Sequence, residues 1–204
     1  MRADLDSLRA LFAARGLPLQ IEFNEPLFPA LPSMLAAAGL TPTEREPLLL
    51  LSAGGFHPAV NSRVEVRFLR ADDEDGLHAY AAIFHEVLLE RSGAPPDRAL
   101  DLLRREIEEL KERSHAVAVL ESSVVGTGFI SSSDGVAEIT RVATIPAARR
   151  RGVAATITSF MIADRFAHGD SLAWLTASGD AAQALYLKLG FRLVGVRLYY
   201  EEEA

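Results

Sequence analysis

The chain contains no cysteine. Thiol nucleophiles, disulfides and thiolate metal sites are therefore excluded, and so are small secreted folds that rely on disulfide staples. Aromatic side chains make up only 7% of the 204 residues, and Trp occurs once. Basic and aromatic residues do not interleave, as a surface that stacks single-stranded nucleic acid would require. Positive charge is in deficit: 21 Lys and Arg face 28 Asp and Glu, a net charge of −7. No global basic field draws in a nucleic acid, so no nucleic-acid partner is expected. No run approaches the roughly 18 consecutive apolar residues of a membrane helix. Met1 to Asp6 carries acids early and has no long apolar stretch, unlike a signal peptide. A cytoplasmic protein without a membrane partner is the expectation.

What is present is a large apolar fraction, 49%, enough for a substantial core. The periodicity changes near Asn61-Ser62-Arg63 and predicts two parts, 1–62 and 63–204. In the first, Leu5, Leu8, Leu11 and Phe12 fall at helical spacing, Leu19 to Phe23 alternates as a strand, and Leu31 to Ala38 is a short helix closed by Gly39. Pro47 to Leu51 is a continuous apolar run suited to a buried strand. Such a run is too apolar to stay solvated, so residues 1–62 are expected to dock on the rest of the chain or to pair across a homodimer.

The second part opens with a strand at Val64 to Phe68 and a helix, roughly Leu77 to Glu90, preceded by the acids Asp72 to Asp75. Pro95-Pro96-Asp97 starts another helix, with Leu103, Ile107 and Leu110 on one face. Strands follow at Ala116–Leu120, Val124–Ile130 and Val136–Ile145, the last two joined by an Asp134-Gly135 hairpin. The chain ends as helix (Gly152–Ala167), strand (Leu172–Thr176), helix (Ala181–Leu189) and strand (Phe191–Tyr200). This order predicts an α+β (α/β) fold: a mixed central sheet with helices on both faces.

The segment richest in chemistry is Ile145-Pro146-Ala147-Ala148-Arg149-Arg150-Arg151-Gly152-Val153-Ala154, where a strand feeds a helix. Gly152 lets backbone approach a ligand with no Cβ in the way. The helix N-terminus beyond it offers unpaired N–H groups and the positive end of the dipole, and three arginines add charge-assisted donors. Together they describe a pyrophosphate cradle; a basic surface loop is the alternative. No Gly-Lys-Ser/Thr follows, as a nucleotide P-loop would need, and Gly-x-Gly-x-x-Gly is absent. The five histidines show no metal-ligand spacing, and no metal is expected. His85 beside Glu86 is a candidate substrate-site pair, against the plainer reading of core or surface histidines.

Arg149-x-x-Gly152-x-Ala154 resembles the Arg/Gln-x-x-Gly-x-Gly/Ala motif of the GNAT superfamily of acetyl-CoA-dependent N-acetyltransferases. Ala184-Leu185-Tyr186-Leu187-Lys188-Leu189-Gly190-Phe191 looks like the family's Ala-Leu-Tyr-x-Lys-x-Gly-Phe signature. The resemblance runs from Arg63 to Glu203. It implies a GNAT-like acyl-CoA N-acyltransferase fold in which the strand ending at Ile145 splays from Leu172–Thr176. It further implies that acetyl-CoA lies in the gap as cosubstrate: backbone of Val142, Ala143 and Thr144 meets pantetheine, and Arg149, Arg150, Arg151, Gly152, Val153 and Ala154 hold the pyrophosphate. Gly179 stands where many members carry an Asn, seven residues before the tyrosine. Residues 21–40 resemble a degenerate half of the same fold, with Leu35 at the place of Tyr186 when Gly39 is aligned on Gly190.

The implied reaction moves an acetyl group to a primary amine, on a small molecule or a peptide. A lysine-like amine, pKa about 10.4, must first lose a proton. Tyr186 is the candidate proton donor to the leaving thiolate, at the family's tyrosine position. Glu138, eleven residues before Arg149, has the spacing of members that use a glutamate on this strand as base; a water chain is the alternative. Alternation puts Glu138, Thr140, Val142 and Thr144 on one face. The competing reading is a catalytically inactive acyl-CoA-binding or regulatory module of the same fold.

Overall fold

A computed structural model describes residues 2–89, 97–110 and 114–202. The chain forms two compact units. One comprises residues 1–50, 176–184 and 192–204, the other residues 51–175 and 185–191.

In the first unit, the C-terminal strand β8 (Arg192–Glu201) lies between β1 (Gln20–Asn24) and β2 (Glu44–Ser52) and is antiparallel to both. Helices α1 (Arg2–Ala13) and α2 (Leu31–Ala37) cover this ribbon. Their core joins Leu5, Leu19, Phe23, Leu35 and Leu40 to Leu198 and Tyr200. Phe23 stacks on Tyr200 at 5.9 Å, and Leu48 and Leu49 of the apolar run are buried. The N-terminal strands therefore pair with the last strand of their own chain.

The second unit carries β3 (Val64–Phe68), α3 (Glu74–Ile83), α4 (Asp97–Leu110), β4 (His115–Leu120), β5 (Ser123–Ser133), β6 (Val136–Thr144), α5 (Val153–Ala167) and β7 (Leu172–Thr176). Helix α6 (Asp180–Lys188) begins in the first unit and ends in the second. Strand order is β7-β6-β5-β4-β3, antiparallel except for the parallel pair β6–β7. Asp134 and Gly135 both take positive φ, 53° and 78°, as a tight two-residue hairpin requires. Asp73 caps α3 by accepting from the Gly76 N–H at 3.1 Å, which gives the acidic run a structural role.

The helix expected from Leu77 to Glu90 is different in its second half: α3 ends at Ile83, and Phe84–Leu88 forms one π-helical turn. The Pro95-Pro96 start expected for α4 lies outside the described residues. Helices α3 and α4 pack on one face of the sheet through Leu77, Tyr80, Leu103 and Ile107 against Val117. Helix α5 packs on the opposite face, where Gly126 and Gly128 leave room for it: an added Cβ would come within 2.7 Å of Val153 and 2.6 Å of Met161.

Gly126→Val should therefore cost about 1–3 kcal/mol by overpacking. Gly54→Ala, where nothing lies within 4 Å of the added carbon, should be nearly neutral. Urea denaturation compares the two; equal midpoints would contradict the close approach of α5 to the sheet.

Candidate functional site

The β6–β7 ladder is short. It pairs Val136 with Leu172, Ala137 with Ala173 and Glu138 with Trp174, and then stops, while β6 runs on to Thr144. Among the described residues the edge of β6 that faced β7 has no ladder partner beyond Glu138, and Glu138 sits at the point where the strands part. A bulge follows: the register to β5 passes from Phe129–Thr140 to Thr127–Ala143, setting Arg141 and Val142 against Gly128 alone. Arg141 takes a positive φ of 55°, and its carbonyl accepts from Thr127 Oγ1 at 3.1 Å.

The bulge corrects the expectation that Glu138, Thr140, Val142 and Thr144 share a face. Thr140 stands opposite Phe129, whose ring meets Arg141 and His115 on the α3–α4 side. Thr144 stands opposite Gly126, which faces α5. Two residues against one reset the alternation. Thr144 Oγ1 is buried and has no hydrogen-bond partner.

The loop from β6 to α5 keeps a helix start open. No side chain caps α5, and the first amide to return to the helix is that of Thr156, to the Gly152 carbonyl at 3.0 Å. The amides of Val153, Ala154 and Ala155 are left to a ligand or solvent. Arg150 and Gly152 take positive φ, 64° and 78°. Asn61, which sequence reasoning missed, locks this loop. Its Nδ2 donates to the Arg151 carbonyl at 2.8 Å, and its backbone N–H donates to Thr156 Oγ1 at 2.9 Å. Of the three arginines, Arg149 Nε donates to the Thr144 carbonyl at 3.3 Å and Arg151 pairs with Glu121. Arg150 has no ion-pair partner among the described residues.

Tyr186 is fixed by the way α6 ends. Gly190, φ 99°, is the left-handed residue after the helix; its N–H bonds to the Leu187 carbonyl, and the Phe191 N–H reaches back to the Tyr186 carbonyl at 3.2 Å. This glycine-terminated cap brings the residues at its two ends together. Phe191 duly meets the Tyr186 ring edge-on at 5.8 Å. Only glycine fits at 190, because a Cβ would lie 1.9 Å from the Gly55 carbonyl oxygen. Burial pushes the Tyr186 hydroxyl up to about 12. Gly179, φ 84°, is exposed at the start of α6.

A second cluster, also missed, gathers on the α3–α4 side. Arg141 Nη1 donates to Glu106 Oε2 at 2.9 Å, and His115 Nε2 lies 3.3 Å from the same oxygen. The Arg141 guanidinium lies over the rings of Phe84 and Phe129, at 5.5 and 4.8 Å. Burial alone would raise the Glu106 carboxyl, but Arg141 overrides it and holds the group below its ordinary range. His115 is buried against Tyr80 and Phe129, with Ser114 Oγ 3.0 Å from its Nδ1. Burial drives its imidazole down from 6.5 to about 4. Glu106 and Arg141 of this cluster line a cavity of about 310 Å³ between α3, α4 and β6. His85 lines that cavity, half-buried, with Nδ1 unpartnered. Among the described residues no three metal-ligating side chains come together, and no helix is long and apolar enough to cross a membrane.

The profile of the acetyltransferase (GNAT) family matches residues 80–191, more than half of the chain, and the chain belongs to that family. A GCN5-related N-acetyltransferase from Kribbella flavida is similar to it at 23% identity and a TM-score of 0.75, over 100% of this chain and 75% of that one. A GCN5-related N-acetyltransferase from Sphaerobacter thermophilus is similar at 17% identity and a TM-score of 0.67, over 92% of this chain and 60% of that one. A tandem GNAT protein from the clavulanic acid biosynthesis pathway is similar at 15% identity and a TM-score of 0.68, over 99% of this chain and 69% of that one. At these identities the likeness is one of fold, the α+β GNAT architecture. No curated protein matches the sequence.

The buried, neutral His115 makes stability depend on pH. Its folded pKa, about 4, lies below the unfolded value near 6.5, so the unfolded chain binds more protons in between. Stability is present above pH 6.5 and is lost as pH falls toward 4. Between pH 7 and 5 the wild type should lose about 2 kcal/mol more than His115→Gln. Urea unfolding at the two pH values checks this, and parallel losses would contradict a neutral buried imidazole.

Proposed function

We propose that the protein is an acetyl-CoA-dependent N-acetyltransferase that moves an acetyl group directly to a primary amine. The observation that carries this reading is the parting of β6 from β7 immediately upstream of the uncapped start of α5. The residues there suit a coenzyme A thioester. Gly152 presents no Cβ, the amides of Val153 to Ala155 take no helical bond, and the Thr144 hydroxyl is buried without a partner. Backbone of Val142, Ala143 and Thr144 would take the pantetheine amides. Arg149, Arg150 and Arg151, with the amides of Gly152 to Ala154, would take the pyrophosphate. Arg151 would exchange Glu121 for a phosphate oxygen.

Acetyl-CoA would supply the acetyl group as a thioester: transfer forms the amide C–N bond, breaks the C–S bond and releases the thiol. Glu138, directly or through water, would take the proton that the ammonium must lose. Tyr186 would donate a proton to the departing sulfur. With its pKa at about 12 it stays protonated at neutral and mildly alkaline pH. Backbone N–H groups of β6 would face the carbonyl oxygen as charge develops on it.

Calorimetry and thiol release test this reading. Coenzyme A should bind the wild type, and Gly152→Glu should abolish binding by putting a carboxylate where the phosphates go. Tyr186→Phe should keep coenzyme A affinity and lose roughly 10²–10⁴-fold in turnover. The wild-type rate should show no fall between pH 8 and 10 that Tyr186→Phe removes. Unchanged affinity in Gly152→Glu would contradict the cradle, and full activity in Tyr186→Phe would contradict the acid.

A further inference from the structure

We infer that the amine acceptor is an α-amino acid with an apolar side chain, held as a zwitterion in the cavity between α3, α4 and β6. This rests on the reading of the protein as an amine acetyltransferase. The cavity, about 310 Å³, is walled by Phe84, Leu102 and Leu103 and carries its charge at one end, on Glu106 and Arg141. Tyr80 lines the same space; it is 2% exposed, and its buried hydroxyl interacts with the Arg141 guanidinium.

The polar groups specify the ligand's charge. Arg141 bonds to Glu106 through Nη1, which also lies 3.4 Å from His115 Nε2, and a guanidinium has five N–H donors in a planar fork. The rings of Phe84 and Phe129 hold that fork in place. A guanidinium fork beside a phenol is a receptor for a carboxylate. Glu106 uses Oε2 for Arg141, and among the described residues its second carboxylate oxygen has no hydrogen bond, which suits an ammonium. A simple amine would meet Glu106 but leave the fork unanswered, and a simple acid would face the Glu106 charge. Only a group bearing both charges answers both. The apolar walls then take a branched or aromatic side chain. Arg141 directly precedes Val142, where the strand segment assigned to pantetheine begins, so an amine held there lies beside the transfer site.

The experiment uses the full chain with coenzyme A and acetyl-CoA. L-Leucine and L-phenylalanine are compared with isopentylamine, 2-phenylethylamine and L-leucinamide, which lack the carboxylate. Thiol release should favour the amino acids by at least about 100-fold in kcat/KM. Arg141→Met should erase that preference, and Tyr80→Phe should raise KM for L-phenylalanine about tenfold without changing coenzyme A affinity. Equal or faster turnover of the decarboxylated amines or of leucinamide would overturn the inference. Calorimetry with L-phenylalanine on the coenzyme A complex decides the cavity independently of turnover. No binding at millimolar concentration overturns the inference even if other amines are acetylated. Binding that Arg141→Met abolishes, with no thiol release from any amine, supports the cavity assignment and overturns the transferase reading instead.

Discussion

Two parallel strands that pair over three residues and then separate set the conditions for the rest of the second unit. Because the ladder ends at Glu138–Trp174, backbone on one edge of β6 is released from sheet pairing. Such groups are costly unless something else meets them. The bulge at Arg141–Val142 belongs to the same construction. It bends β6 where it leaves β7, and it turns Arg141 into the cluster with Glu106 and His115.

Unsatisfied and strained features collect along this line. Arg141 and Arg150 hold positive φ without being glycine, the Thr144 hydroxyl has no partner among the described residues, and α5 starts without a cap. The core around this line is apolar: buried Ile157, Met161 and Ile162 of α5 on one face, and Leu77 and Leu103 on the other. Local departures of this kind persist only where the surrounding packing over-determines them, and they cluster where ligands bind. Asn61 supplies part of that support by tying the loop before α5 to the helix itself.

The elements and the two signature segments were legible in the sequence because both depend on local chemistry. Gly190 follows a helix and must be left-handed; Gly152 precedes one and must lack a Cβ. Leu35, Gly39 and Leu40 close α2 with the bonds that Tyr186, Gly190 and Phe191 use to close α6, which gives the resemblance between those two stretches a physical basis in a shared helix cap. The bulge was not legible, since alternation assumes an unbroken register and one extra residue moves Thr144 to the other face. Nor was the Glu106–His115–Arg141 cluster: its members are separated by 35 and 26 residues and meet only through sheet topology. Its one sequence signal is the lone basic residue of β6. The π-helical turn at Phe84–Leu88 keeps the apolar spacing of an α-helix and so left no trace in periodicity.

The central claim is that the end of the β6–β7 ladder and the start of α5 form one receptor for coenzyme A. Amide hydrogen exchange with and without coenzyme A, resolved to single residues, tests it directly. The account predicts new protection at Val142 to Thr144 and at Gly152 to Ala154 together, with the paired residues Val136 to Glu138 unchanged. Protection confined to one of the two segments, or appearing elsewhere on the chain, would contradict it.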